Sequence, residues 1–401
     1  MISESKIAEK KESSFTKILY NELIVNEVLD MFFDQPSIFR SVPLDDLSPL
    51  FLMKREDRIN FSLMNKRVNF LYRKRKRVLL LDNNCLKSLK DYSCFLKYEE
   101  ISTVQIMNVC DVNVDLSFLL KFKRLNKVEI NCDSFDLDRV IQLKNLKELK
   151  FKRGVKDAKN INKIGVLTNT KILDLKDLKL GNIDFLKGMF NLERLNITAV
   201  KLHDLSPLEH LKNLKKLKID FMMEEFDISN LGFLTQIEEL TIVNSTLNSL
   251  DPLKSLANLK KLRLSYNQNI REISSVSHFT ALESLELCNN GLTSISSIKH
   301  LTRLTNLKLE NKEGIKDISE LASLTNVEFL HLENYEIDSI SPVGNLTKLK
   351  KLLLKVSYKV TDLSPLGNLT DLESLKIFGS NEKDVNFIRN LKKLNLKITV
   401  P

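Results

Sequence analysis

The chain has 401 residues, of which 43% are apolar and 28% are charged, and this composition excludes a wholly disordered chain. Its formal net charge of +10 favours acidic partners at long range but does not specify a fold. The 5 cysteines include no Cys-x-x-Cys pair, and the 10 glycines form no Gly-x-Gly-x-x-Gly or P-loop pattern. These absences argue against a disulfide framework, a zinc site and a nucleotide site.

The N-terminus predicts a protein that is not secreted. Residues 1–6 include an acidic side chain and lack the apolar core of a secretory signal. No stretch approaches the roughly 18 apolar residues that a membrane span needs. The cysteines are odd in number and irregularly spaced, which fits reduced thiols. We therefore expect a cytoplasmic or nuclear location.

The sequence predicts no catalytic chemistry. The 5 histidines are not paired at metal-ligand spacing, and neither His-Glu-x-x-His nor Gly-x-Ser-x-Gly occurs. The carboxylates are scattered along the chain without a paired setting. We therefore expect a protein that is not an enzyme and that has no catalytic residues, no metal site and no cofactor.

The first part of the chain predicts a tail followed by a small helical region. Residues 1–14 are rich in charged side chains and predict a disordered tail. Residues 15–33 place apolar side chains on one face of an amphipathic helix, which ends before Pro36. We assign residues 15–78 to this α-helical N-terminal region.

Residues 42–72 predict two further helices. Pro43 suits a first-turn position because its missing N–H costs nothing there, and Asp57 begins the second helix. The segment resembles an F-box, a family whose apolar positions dock on the Skp-type adaptor of a cullin–RING ubiquitin ligase. The same helices could instead only cover the apolar edge of the domain that follows, and both interpretations stay open. The resemblance implies that the following residues contact the adaptor: Pro43, Leu47, Leu50, Phe51, Leu63 and Met64.

From residue 79 to 401 the pattern Leu-x-Leu recurs in about 15 units. Between Leu195 and Leu375 every step is 22 or 23 residues. In the clearest unit, Leu285 and Leu287 alternate with polar residues as in a short half-buried strand, and Asn290 follows in the turn. The period predicts a solenoid with one strand per unit, stacked into a parallel sheet.

The segment after each strand contains a phrase such as Asp-Leu-Ser-Pro-Leu, found at residues 204–208 and 362–366. Proline resists a long helix, so the convex side should be mostly 3₁₀ or irregular. The phrase resembles the short repeats of internalins and of the leucine-rich regulatory subunit of protein phosphatase 1. The resemblance implies an α/β leucine-rich-repeat solenoid with a curved parallel β-sheet and a small N-terminal α-helical region.

The concave side of such a sheet is a large, rigid binding surface. It would display the side chains that flank each inward leucine, and these form a basic stripe with acidic interruptions. Aromatic positions on it, among them Tyr335, are candidate anchors because large rigid side chains dominate binding hot spots. We expect the following residues to contact a partner: Lys150, Lys176, Arg194, Lys216, Lys218, Lys261, Arg263, Lys308, Phe329, His331, Lys351 and Phe378.

Three functions follow from these patterns. The first is an F-box-like substrate adaptor that holds a target protein on the concave face. The second is a stand-alone leucine-rich-repeat scaffold or regulatory subunit, either a phosphatase regulator or an effector of a bacterium or intracellular parasite. The third is a nucleic-acid or membrane-surface binder. We favour a solvated lysine-rich surface over nucleic-acid binding.

Overall fold

The computed structural model describes residues 70–73, 77–82 and 100–379, the last range with gaps at 136, 153–159, 177, 179, 199–201, 203, 221–226 and 313. The predicted tail, the amphipathic helix, the six adaptor-binding candidates of the F-box-like segment and the last predicted repeat lie outside the described residues.

A single 15-stranded sheet runs through the described residues in chain order. The 14 strands from the second onward are parallel to one another, which confirms the predicted sheet. The strands are β1 Phe70–Arg73, β2 Val78–Asp82, β3 Thr103–Val114, β4 Lys127–Phe135, β5 Glu148–Phe151, β6 Ile172–Leu175, β7 Arg194–Thr198, β8 Lys216–Asp220, β9 Glu239–Val243, β10 Lys261–Ser265, β11 Ser284–Cys288, β12 Asn306–Glu310, β13 Phe329–Asn334, β14 Lys351–Val356 and β15 Ser374–Phe378.

The first strand differs from the rest. β1 pairs with β2 in the antiparallel direction, and Arg77 lies between them with φ 53°. This strand falls within the stretch that the sequence assigns to the helical N-terminal region. Its pairing satisfies the outer backbone groups of β2, and within the described residues the sheet begins with this strand of only 4 residues.

The convex side is built from 3₁₀ segments, as the sequence predicts. Asp204 accepts a hydrogen bond from the backbone N–H of Ser206 at 2.7 Å, and Asp362 does the same for Ser364 at 2.9 Å. This contact explains the Asp-Leu-Ser phrase, because the carboxylate satisfies an N–H group at the start of the segment. The segments are Ser117–Lys121, Ile161–Val166, Asp184–Gly188, Ser206–His210, Ser229–Phe233, Asp251–Leu253, Ser274–His278, Ser296–His300, Ser319–Ser323, Ser341–Asn345 and Ser364–Asn368, with one short α-helix, Leu137–Val140.

The core is a column of inward leucine and isoleucine side chains, backed at the turns by buried asparagines. Asn290 donates from Nδ2 to the carbonyl of Leu264 at 3.0 Å, and its Oδ1 accepts the backbone N–H of Asn267 at 3.0 Å. Asn311 donates to the carbonyl of Leu292 and Asn334 to that of Ile315, each in the preceding turn. These amides satisfy backbone groups that the tight turns would otherwise leave unpaired inside the protein.

Candidate partner-binding face

The concave side displays three columns of side chains: those before, between and after the two inward leucines of each strand. The register keeps each column in line, so that Arg263, Glu286 and Lys308 are successive members of the central column. All twelve predicted contact residues occupy these columns, eleven within strands and Lys176 directly after β6. The structure therefore brings the predicted set onto one surface, spread from β5 to β15.

At the N-terminal end of this surface, one carboxylate forms ion pairs with several lysines. Glu129 is 5% exposed, and its carboxylate lies 3.2 Å from Nζ of Lys127 and 3.1 Å from Nζ of Lys152. Burial alone would raise the pKa of Glu129, but the hydrogen bond and charge of Lys152 and then of Lys127 lower it. Lys150 contacts both Glu129 and Glu148. Its charge is thus compensated within the protein.

Cations in the middle of the surface are compensated in the same way. Glu239 lies 2.8 Å from Lys216 and 3.2 Å from Lys261. Two further pairs are Arg263 with Glu286 at 3.4 Å and Lys308 with Glu310 at 2.7 Å. Within the described part of the chain, the predicted cations that form no ion pair are Lys176, Arg194, Lys218 and Lys351. Five of the nine cations of the stripe that looks basic in the sequence are therefore paired with a carboxylate on the same or a neighbouring strand.

The C-terminal part of the surface has a different chemistry. Phe329, His331, Leu353 and Phe378, here called the aromatic patch, are half-buried side chains on β13, β14 and β15. His331 is in register with Leu353. Nζ of Lys355 lies 5.9 Å from the centroid of the Phe378 ring, within the range of a cation–π contact. Apolar side chains here lie beside an ion pair, in which Nζ of Lys355 is 2.9 Å from Glu333.

Sequence reasoning missed Leu353. Three consecutive leucines, Leu352, Leu353 and Leu354, hide which one faces outward. The repeat frame contains the missing signal, since it assigns Leu352 and Leu354 to the two inward positions, and these two are buried while Leu353 is half-buried. The prediction did not include Leu353 because it was limited to charged and aromatic side chains at the outward positions.

His331 has an unusual environment at the centre of the patch. Its side chain is 14% exposed, and Nε2 is buried and makes no hydrogen bond. The nearest carboxylate oxygen, on Glu333, lies 3.9 Å from Nε2. Burial, followed by the charge of Lys308, lowers the pKa of His331, so the imidazole is neutral at neutral pH. An unpaired buried nitrogen is costly, and a bound partner could supply the missing hydrogen bond.

Comparison with known proteins agrees with this architecture. No protein-family model matches the chain, and no curated protein matches it. Among solved structures, an internalin, InlF, from Listeria monocytogenes is 25% identical, with a TM-score of 0.59 over 75% of this chain and 88% of that chain. The functional domain of InlJ from the same organism is 20% identical, with a TM-score of 0.52 over 80% of this chain and 71% of that chain. The chain is a leucine-rich-repeat solenoid. An LRR protein of Leptospira interrogans is also similar, at 21% identity and a TM-score of 0.43 over 78% of this chain and 99% of that chain.

The described part of the solenoid contains no group of three or more histidine, cysteine or acidic side chains placed to hold a metal ion. No helix in that part is long and apolar enough to cross a membrane. Cys288 is a free buried thiol, and burial raises its pKa, which opposes nucleophilic reactivity. Tyr266, Tyr335 and Tyr358 are exposed in turns after β10, β13 and β14, and sequence reasoning had singled out only the second of them.

Proposed function

We propose that the solenoid is a protein-interaction module that holds a partner protein on its concave face, with the aromatic patch as the main anchor. The observation that carries this proposal is the patch itself: half-buried Phe329, Leu353 and Phe378 share the surface with His331, whose buried Nε2 makes no hydrogen bond. A partner would insert an apolar side chain and donate or accept one hydrogen bond. Lys351 and Lys376 would attract an acidic rim, since neither forms an ion pair within the described residues.

The charge pattern favours a protein over a nucleic acid as the partner on this face. Five of the nine cations in the predicted set are held by carboxylates of the protein. A polyanion would have to compete with those carboxylates, whereas nucleic-acid affinity depends on cations that are free to neutralise phosphates. Catalysis is not needed for this role, and we propose none.

Quantitative capture of partners by the full chain tests the patch. Leu353→Asp places a charge in the centre of the apolar surface, and Thr241→Asp is a matched control because it adds the same charge to the same column on β9. We expect Leu353→Asp to remove most captured protein and Thr241→Asp to keep it. Equal retention by both variants would mean that the partner does not use the patch.

For the N-terminal region we propose an F-box-like adaptor role, supported by the sequence phrase at residues 42–72. Co-purification with a Skp-type adaptor, lost in the Leu50→Asp, Phe51→Asp double variant, is the expected result. If that variant keeps all of its partners, the segment is only a cap, and the chain is a stand-alone scaffold, a phosphatase regulator or an effector of a bacterium or intracellular parasite. A cytoplasmic or nuclear location stays a prediction, which the buried free thiol of Cys288 supports.

A further inference from the structure

The edge of the solenoid that precedes the strands, here called the entry flank, carries two regular rows of side chains. In the first row, asparagine carboxamides bond the preceding turn: Nδ2 of Asn191 donates to the carbonyl of Thr168 at 2.9 Å, and that of Asn213 donates to the carbonyl of Phe190 at 3.0 Å. Others in this row are Asn169, Asn258 and Asn326.

The second row lies two residues further along each turn and alternates in charge. Backbone hydrogen bonds connect its members in order: Lys171, Glu193, Lys215, Glu238, Lys260 and Glu283. Nζ of Lys171 lies 2.6 Å from Glu193, and Nζ of Lys260 lies 2.8 Å from Glu238. Every cation in this part of the row therefore has an acidic neighbour in the next turn.

Both rows lose their regularity at the N-terminal end of the flank. In the first row, Arg124 occupies the position that Asn145 and Asn169 occupy in the next two turns. In the second row Lys147 directly precedes Lys171, since the backbone N–H of Lys171 donates to the carbonyl of Lys147 at 2.8 Å. Two cations thus occupy adjacent turns with no acidic residue between them.

The residues of both rows at this N-terminal end of the flank, with their neighbours, line a cleft of about 540 Å³. Four of them are cations, and none of the described residues that line the cleft is a carboxylate. Lys171 is already paired with Glu193, but in the described part of the chain Lys123, Arg124 and Lys147 form no ion pair. The full lining is Lys123, Arg124, Leu125, Asn126, Asn145, Lys147, Asn169, Lys171 and Asn191.

We propose that this cleft binds a compact oxyanion, a phosphoryl or sulfo group. Like charges that share a concave site repel one another and concentrate a positive potential, and a bound anion relieves both effects. Arg124 offers a planar fork that suits the oxygens of such a group, and Lys123 and Lys147 add point charges. The site is separate from the concave face, so it does not depend on the proposed function.

The extent of the cleft favours a compact ligand over an extended polyanion. Its cations span three turns, roughly 10 Å at the spacing of neighbouring strands. Beyond Lys171 the flank presents Glu193, Glu238 and Glu283 at every second turn. A nucleic-acid strand that followed the flank would meet these carboxylates. A phosphorylated side chain of a partner, or a free phosphate compound, would not.

Titration calorimetry with inorganic pyrophosphate on the full chain, at fixed ionic strength, tests the proposal. The variant Arg124→Gln with Lys147→Gln removes two charges from the cleft. The matched control Lys215→Gln with Lys260→Gln removes two charges from the same flank outside it. We expect about tenfold or greater loss of affinity in the cleft variant, because charge-assisted hydrogen bonds are lost, and no change in the control.

Equal losses of pyrophosphate affinity in both variants would mean that only the net charge of the chain matters, and this would overturn the proposal. Absence of pyrophosphate binding to the unaltered chain would overturn it too. All replaced side chains are exposed, and thermal unfolding checks that each variant is folded. If the double cleft variant does not fold, Lys123→Gln alone should still weaken binding. A phosphoserine peptide that binds where its unphosphorylated form does not identifies a modified protein as the source. Binding of single-stranded DNA with a steep salt dependence that the cleft variant weakens would show an extended polyanion site and overturn the proposal of a compact ligand.

Discussion

Replacement of Asn290 by alanine should destabilise the solenoid more than any change to its concave surface. The Asn290 side chain is 6% exposed and holds two backbone groups from the preceding turn. One is the carbonyl of Leu264, at 3.0 Å from Nδ2, and the other is the N–H of Asn267, at 3.0 Å from Oδ1. The variant leaves the N–H of Asn267 buried without this partner and removes one hydrogen bond to the carbonyl of Leu264.

The N–H that loses its partner costs about 1–3 kcal/mol and the lost hydrogen bond to the carbonyl about 0.5–1.5 kcal/mol, so we predict a total loss of about 1.5–4.5 kcal/mol. The matched control is Asn306→Ala, since Asn306 is exposed on β12, and a surface change of this kind costs about 0.5 kcal/mol or less. Urea unfolding followed by circular dichroism measures both variants. Because stability in a repeat array is a sum of local and neighbour contributions, the m-value must be compared as well as the midpoint.

The prediction assumes that the turn cannot rearrange. If Asn290→Ala unfolds at the same urea concentration as Asn306→Ala, water must reach Leu264 and Asn267, and the asparagine is then not a structural requirement of this turn.

Three further outcomes are expected. Because the pKa of Glu129 is lowered in the fold, its contribution to stability is present above the unfolded pKa of about 4.3 and is lost as the pH falls through the folded value. The free energy of unfolding of Glu129→Gln should therefore fall less steeply with decreasing pH than that of the unaltered chain. Gly314 has φ 96°, and an added Cβ would lie 2.5 Å from the carbonyl oxygen of Leu292, so Gly314→Ala should lose about 1–3 kcal/mol. Gly181→Ala, with nothing within 4 Å of its new Cβ, should be neutral in the same denaturation assay. By NMR, the His331 imidazole should titrate below its ordinary pKa of 6.5, because burial opposes its protonation; titration at or above that value would contradict the buried environment.

The sequence predicts what is periodic in this fold. Leu-x-Leu at steps of 22 or 23 residues locates the strands, and Asp-Leu-Ser-Pro locates the 3₁₀ segments, because both depend only on residues within one turn of the chain. The antiparallel pairing of β1 carries no such signal. The ion pairs of Lys216 and Lys261 with Glu239 were also missed, because they join residues on neighbouring strands and appear only when those strands are aligned in register.

The two candidate sites have a common logic. In a repeat protein, stability requires only that the apolar residues repeat at the inward positions. At the outward positions of this protein, cations commonly lie beside carboxylates, and we call this the rule of compensated charge. A departure from that rule is not needed for folding. The aromatic patch departs from the rule of compensated charge by being apolar, and the flank cleft departs from it by lacking acidic residues. The patch lies on β13 to β15 and the cleft beside β4 to β6, at least about 30 Å apart along the sheet at the usual strand spacing. Energetic effects of distant sites add, so Leu353→Asp and the cleft variant should each remove one binding activity and leave the other intact.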